Sequence, residues 1–458
     1  MPIAYVMERG SIMKRLSILL AVAILVTLVA VPAAIAQGIT YTSGYQVQNL
    51  ENATATVTIA YYNQDGTKAV NPDVSGTIPA MGSVTYFPIH ASDGFNGSVV
   101  VSSDKKIVAI ANTLGNNPQY AASTEGFDAG ATTVMLPLIM RGNAGYFTWF
   151  NVQNVGASPA TVTVNFVRGS AGNNYTAPAV TIQPYAASTF NQRDLTALGT
   201  QFVGSAIVTS NQPIVATVMQ VGETYKNMMG YNGFTAGSRS VSLPLVMANN
   251  SGYYTGIQIQ NVSPGVANVT IAYGANIAGG FVPTNESATL QSNESKTFIQ
   301  QGGQWTGKYV GSATVTADQD IVAIVNQVKM TGTVQGTSYN GFNPVNATNK
   351  VSAPLIMANN SNYYTGFQVM NVGAGSVNIT VTYGPNTGGG FAPAGETTSV
   401  APGNSYNSIQ SGGQWGANKY VGSAVVTADA GAKIVMIVNQ VNPVAAGDQY
   451  MTYDGFNY

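Results

Sequence analysis

Beyond residue 40 the apolar residues recur with a period of two. Val269, Ile271 and Tyr273 alternate with Asn268, Thr270 and Ala272, which predicts a strand with one face on a core and the other in water. The run Ile321-Val322-Ala323-Ile324-Val325 does not alternate, and its β-branched content predicts a central strand covered on both faces. Glycine and asparagine clusters such as Gly388-Gly389-Gly390 and Asn116-Asn117-Pro118 fall between strands, where turns belong. No helical period follows the first 36 residues.

The pattern repeats. Gly44-Tyr45-Gln46-Val47-Gln48-Asn49-Leu50 returns around Asn154, Asn261 and Asn371, at steps of 105, 107 and 110 residues. A Gly-Ser pair keeps the same step, at Gly97-Ser98, Gly204-Ser205, Gly311-Ser312 and Gly422-Ser423. Three repeats close on Tyr231-Asn232-Gly233-Phe234, Tyr339-Asn340-Gly341-Phe342 and Tyr453-Asp454-Gly455-Phe456, and the first on Glu125-Gly126-Phe127. Ordered markers at one spacing predict tandem units. The expected division is residues 37–130, 131–238, 239–347 and 348–458, each with about seven short strands, the number of an immunoglobulin-like sandwich. The fold class is therefore expected to be all-β, with four such sandwich modules behind an N-terminal signal peptide.

The Asn-Val or Asn-Leu strand end, the Val-x-Val-x-Tyr strand, the Ala401-Pro402-Gly403-Asn404-Ser405 turn and the Gly-Ser-Ala strand together resemble the immunoglobulin-like repeats of bacterial cell-surface, S-layer and adhesin proteins. The resemblance covers nearly all of the chain after residue 36. It implies a scaffold or adhesive role. The Cys and Trp pair of antibody domains is missing, so the resemblance is one of architecture.

The first 36 residues read differently. Lys14 and Arg15 precede an apolar stretch from Leu16 to Val31, followed by the small-x-small site Ala34-Ile35-Ala36, the layout of a cleavable signal peptide. Met13 is the expected start and Gln37 the first residue after cleavage. The apolar stretch is shorter than the roughly 20 residues of a spanning helix, so the mature chain is expected to be extracellular with no membrane span.

Composition narrows the chemistry. Charged residues make up 8% of the chain, against roughly 25% in average soluble domains, and the net charge is -1. An uncharged polar surface gives little mutual repulsion and favours assembly. No basic run supplies the phosphate neutralisation that nucleic-acid binding needs. With no cysteine and a single histidine, His90, thiol chemistry is excluded and zinc or triad sites lack their usual donors. Neither a cofactor, a metal nor an enzymatic activity is expected. Asp318-Gln319-Asp320 is the nearest approach to a calcium loop, but other repeats lack its second acid. A Lys to Asn isopeptide bond, Lys308 with Asn326 or Lys419 with Asn439, lacks an obvious catalytic acid.

Two groups remain as candidate sites. Trp305, Trp415, Tyr254 and Tyr364 recur in matching segments and are candidates for stacking on sugar rings; the alternative places them in cores and junctions. The second is a marker present three times: Leu136-Pro137-Leu138-Ile139-Met140, Leu243-Pro244-Leu245-Val246-Met247 and Ala353-Pro354-Leu355-Ile356-Met357. One repeat lacks it, so one sandwich has an incomplete edge. If the segment opens a repeat, the first has only Gln37 to Thr42 in its place; if it closes one, the last repeat ends at Tyr458 without it. An open edge accepts a strand, so one expectation is head-to-tail assembly with Ile39 and Tyr41 in the donor strand; the alternative is that the short N-terminal segment, or a loop, caps the edge within the same chain. The functional expectation is a secreted structural surface protein, a self-assembling homo-oligomer or polymer such as a filament, sheath or S-layer subunit. The alternative is an adhesin for surface polysaccharide.

Overall fold

A computed structural model of the chain describes residues 22–26, 39–116 and 119–458. It is an all-β structure of antiparallel sheets packed as sandwiches, and its one helical element among the described residues is a single 3-10 turn, Thr196–Leu198. No helix among them is long and apolar enough to cross a membrane.

The second repeat shows how the strands are laid out. Its opening strand, Ala131–Arg141, pairs with the first half of a long strand, Phe202–Gly222, which also carries Ala160–Ala171 and, beyond that, Val180–Ile182. The second half of the long strand lies in the facing sheet. There it pairs with the marker strand Tyr146–Asn154, flanked by Ala187–Asn191, and with the closing strand Asn227–Asn232. Between these layers Leu136, Phe150, Val164, Ala206 and Val218 are fully buried. The alternating positions of Ala160–Ala171 face this core, as the period of two requires.

The same pairings recur around Tyr309–Lys329 in the third repeat. In the first and fourth repeats a lysine-bearing turn divides the long strand into Gly97–Ser103 with Ile107–Gly115, and Tyr420–Ala428 with Ile434–Val441. The neighbours of each half are unchanged.

The Leu-Pro-Leu marker sits at a bulge of the opening strand, where the register shifts against Gly204 and Ala206. Proline is tolerated there because no ladder N–H is required of it. The Leu138 carbonyl freed by the bulge accepts the Tyr231 hydroxyl at 2.7 Å, and Tyr339 and Tyr453 do the same for Leu245 and Leu355. The closing tyrosine therefore fastens the opening strand of its own repeat. The first repeat has Thr124 at that position.

The three-copy segment thus opens its repeat, and the first repeat is the one without it. Its place is taken by Val22–Val26, which pairs with Gly97–Ser103. Val26 stands opposite Val99 as Leu136 stands opposite Ala206, Leu243 opposite Ala313 and Ala353 opposite Ala424. The expectation that Gln37 to Thr42 fill the gap is corrected. Tyr41 already begins the marker strand Tyr41–Asn49, opposite Gly115, and Ile39 is buried in a cluster with Trp149. Lys14, Arg15 and the Ala34-Ile35-Ala36 site lie outside the described residues.

The marker asparagines owe their recurrence to one turn. Each is completely buried and donates its amide to the carbonyl four residues on: Asn49 to Ala53, Asn154 to Ser158, Asn261 to Gly265 and Asn371 to Gly375, at 2.7 to 2.8 Å. Each Oδ1 accepts the N–H two residues on. No other side chain of that length offers both a donor and an acceptor without charge.

The repeats also bond to one another in a closed cycle. The serine of each Gly-Ser pair is buried and donates to a carbonyl of the following repeat: Ser98 to Tyr185, Ser205 to Asn293, Ser312 to Gly403 and, closing the cycle, Ser423 to Met81. All four acceptors sit at turns with positive φ, between 55° and 71°. Gly403 and Asn293 suit that conformation; Met81 and Tyr185 adopt it against the steric preference of an L side chain. The closing strands complete the ring, each packing between those of its two neighbours.

Replacing Asn261 by alanine leaves the Gly265 and Leu290 carbonyls short of a donor and is expected to cost roughly 1–3 kcal/mol. Urea unfolding of the Asn261→Ala chain measures it, and an unchanged midpoint would contradict the role assigned to the turn.

Candidate binding grooves at the repeat junctions

Three of the four junctions share a polar clasp. The Gln220 amide donates to Asn326 at 3.1 Å and to Ser338 at 2.9 Å, and the Asn326 amide donates back at 2.8 Å. Gln327 meets Asn439 and Thr452 in the same way, and Gln440 meets Asn112 and Ser123. At the junction of the first and second repeats the positions are Thr113 and Met219, and the contact is apolar instead. Ile39, Tyr120, Ala122, Trp149, Met219 and Val221 form a buried cluster there.

Beside each clasp lies a groove between the marker strand of one repeat and the opening strand of the repeat before it. The groove between repeats four and one encloses about 400 Å³, that between two and three about 280 Å³, and that between three and four about 210 Å³. The floor residues are Gly44, Gly256 and Gly366, all in mid-strand. The facing wall is a Leu-x-Met of the preceding repeat, such as Leu355 and Met357. A large apolar side chain stands at each mouth: Phe87 is 61% exposed, Ile299 58% and Ile409 51%.

Along the axis, where the closing strands meet, two polar arrangements tie the repeats together. Asp448 is fully buried and accepts N–H groups from Met228 at 2.8 Å, Gly336 at 3.1 Å and Tyr450 at 3.4 Å, while its own N–H donates to Gln119. One residue thus touches all four repeats, three of them through its carboxyl, and burial raises its pKa well above the usual carboxylate range. At the other end Glu125, Asn232, Asn340 and Asp454, equivalent positions of the closing marker, form a ring. Asn232 donates to the Glu125 carbonyl, Asn340 to the Asn232 carbonyl, and the Asp454 N–H to the Glu125 carboxylate at 2.6 Å. The Asp454 carboxyl accepts the Asn340 N–H. Burial pushes Glu125 up to about 7 and raises Asp454, the latter helped by the Glu125 charge beside it.

The aromatic candidates divide. Trp305 and Trp415 are 4% and 3% exposed. Trp305 packs edge-on to Tyr273 and donates its indole N–H to Glu286, and Trp415 packs edge-on to Tyr383. They belong to cores and present no face for a sugar. Tyr254 and Tyr364 are half-buried and line the grooves between repeats two and three and between three and four. Ile39 and Tyr41, expected in a donor strand, are engaged within their own ring.

His90 is exposed, with Nδ1 3.4 Å from the Tyr61 hydroxyl. Asp104, Asp318 and Asp429 accept N–H groups from Thr56, Asn268 and Asn378, so each caps the neighbouring strand rather than its own turn. Asn326 and Asn439, considered for isopeptide bonds, belong to the junction clasps. No cluster of three or more His, Cys, Asp or Glu suited to a metal occurs among the described residues.

The grooves and clasps went unread in the sequence. Their signal was one position of the marker strand, glycine at 44, 256 and 366 but tryptophan at 149.

No family model matches the chain, and a comparison with curated proteins gives no match. Among solved structures, the crystal structure of Thermotoga maritima 1070 is similar over 23% of this chain and 94% of its own length, at 20% identity and a TM-score of 0.20. The pilus adhesin SpaC from Lactobacillus rhamnosus GG is similar over 90% of this chain and 56% of its own, at 11% identity and a TM-score of 0.12.

The acid pair makes stability depend on pH. An acid whose pKa is higher in the folded state holds its proton more tightly there. Its contribution is therefore complete below the ordinary carboxyl range and is lost as pH rises through about 7. The melting temperature is expected to fall between pH 4.5 and 7.5. Asp454→Asn, which copies Asn232 and Asn340, should flatten that fall and raise the melting temperature at pH 7.5. Thermal unfolding followed by circular dichroism across the range checks both.

Proposed function

We propose that the chain is a secreted, non-enzymatic structural protein of the cell surface, and that its ring is the subunit of a self-assembled filament, sheath or S-layer. The observation that carries this reading is the edge of the first repeat. Among the described residues, Gly97–Ser103 has Ala55–Asn63 on one side and only Val22–Val26 on the other. Val22–Val26 lies inside the apolar stretch that precedes Ala34-Ile35-Ala36. Cleavage there removes the strand and leaves the N–H and C=O groups from Val99 to Ser103 unpaired.

The opening strands of the other three repeats are covalently present, so each mature ring offers one such edge. A strand added by another copy satisfies it, and a single contact repeated from copy to copy builds an assembly. Residues 39–43 are not the donor, since they are held in the ring. The low charge supports the reading, because little electrostatic repulsion opposes close packing of copies.

A second reading, a surface-binding adhesin, is favoured by a separate observation. The same groove is presented at three junctions of one ring, and repeated weak sites combine into avidity.

Electron microscopy and light scattering of the chain beginning at Gln37 test the structural reading. Ordered assemblies are expected, and a synthetic peptide with the sequence of residues 133–140 should disperse them by occupying the edge. Single rings at high concentration, with or without the peptide, would count against it.

A further inference from the structure

The junction between the first and second repeats shows what fills a groove. Trp149 stands where the other repeats have Gly44, Gly256 and Gly366, and it is 2% exposed. Much of its surroundings corresponds in position to the open grooves, whose Leu-x-Met wall has no counterpart in the buried cluster around Trp149. Tyr41, edge-on to the indole at 6.2 Å between ring centroids, corresponds to Tyr146, Tyr253 and Tyr363, and all three line open grooves. Met219 and Val221 correspond to Asn112 and Leu114, Asn326 and Val328, and Asn439 and Val441, again in the groove walls. Ala122 corresponds to Met229 and Met451. The open grooves thus correspond to the Trp149 site without its indole, with the Leu-x-Met wall of the preceding repeat added.

A glycine in mid-strand weakens a sheet and often marks a place where something approaches the backbone closely. Nothing in the ring itself demands glycine at Gly256, where an added Cβ meets no atom nearer than 3.9 Å, or at Gly366, where the nearest is 3.5 Å. The mouths point the same way. Phe87, Ile299 and Ile409 are exposed beside the open grooves, and the equivalent residue beside the filled one is the polar Asn191. A single exposed apolar side chain is ordinary, but this set follows the open grooves. The volumes suffice, since an apolar cavity of about 150 Å³ holds a benzene ring.

We propose that the grooves over Gly44, Gly256 and Gly366 bind a small planar aromatic molecule of indole size. The ring lies on the glycine floor, edge-on to the tyrosine of the preceding repeat, with the Leu-x-Met wall across from it and the apolar residue of the mouth closing over it. At Gly44 the Phe87 ring occupies part of that space, 2.9 Å from where a Cβ would lie, and swings outward to admit the ligand. The site is independent of the assembly edge.

Equilibrium dialysis and fluorine NMR with 5-fluoroindole as the probe test the proposal on the chain beginning at Gln37. Saturable binding at up to three sites is expected. Gly256→Trp and Gly366→Trp should each remove one site, because the introduced indole fills the groove as Trp149 does. Trp149→Gly should add a site and lose thermal stability that indole restores. Should that variant fail to fold, the two glycine variants still decide the matter. Absence of saturable binding up to millimolar probe, or binding that Gly256→Trp and Gly366→Trp leave unchanged, would overturn the proposal. Assembly of the chain is unaffected by either result, so the two readings fail separately.

Discussion

The structure depends on closing a cycle of hydrogen bonds with uncharged side chains. A buried serine from each repeat finds a carbonyl only on the next, and the last serine, Ser423, finds Met81 of the first. Each such donor loses its water on burial and costs free energy unless its partner is in place. The cycle thereby fixes the spacing of the repeats and the direction in which they follow one another. Met81 and Tyr185 hold left-handed turns to present those carbonyls, so local conformational cost is accepted for the sake of the junction.

The scarcity of charge takes on a structural meaning in this light. Gln220, Gln327 and Gln440 meet asparagines across junctions where an ion pair would have to be desolvated. Amides give a donor and an acceptor at each end, so the clasps are reciprocal without net charge. Where acids do enter the ring, at Asp448, Glu125 and Asp454, they sit where the surrounding groups are mostly backbone N–H donors. Those donors favour the ionised forms, but desolvation outweighs them and raises all three pKa values.

The three clasped junctions carry open grooves, and the one junction without a clasp is filled. Trp149 makes one junction a piece of core, while glycine leaves the others open to solvent. The first repeat departs twice from the rest, in having Val22–Val26 in place of the Leu-Pro-Leu segment and in forming the filled junction. Both departures fall where the chain enters the ring.

The sequence by itself determined the strands, since a period of two and a repeated turn asparagine act over a few residues and need nothing distant. It also placed the opening segment before each marker strand and showed that one copy was missing. Which repeat was short of it, and that Val22–Val26 takes the place, followed only from pairing. Trp305 and Trp415 were legible as recurrent but not as buried, because burial depends on Tyr273 and Tyr383 arriving from other strands. The closed ring, the clasps and the grooves were decided by the tertiary structure alone. Each joins residues about a hundred or more positions apart, as Gln440 joins Asn112, and the pattern within one repeat carries no information about which surface its neighbour will present.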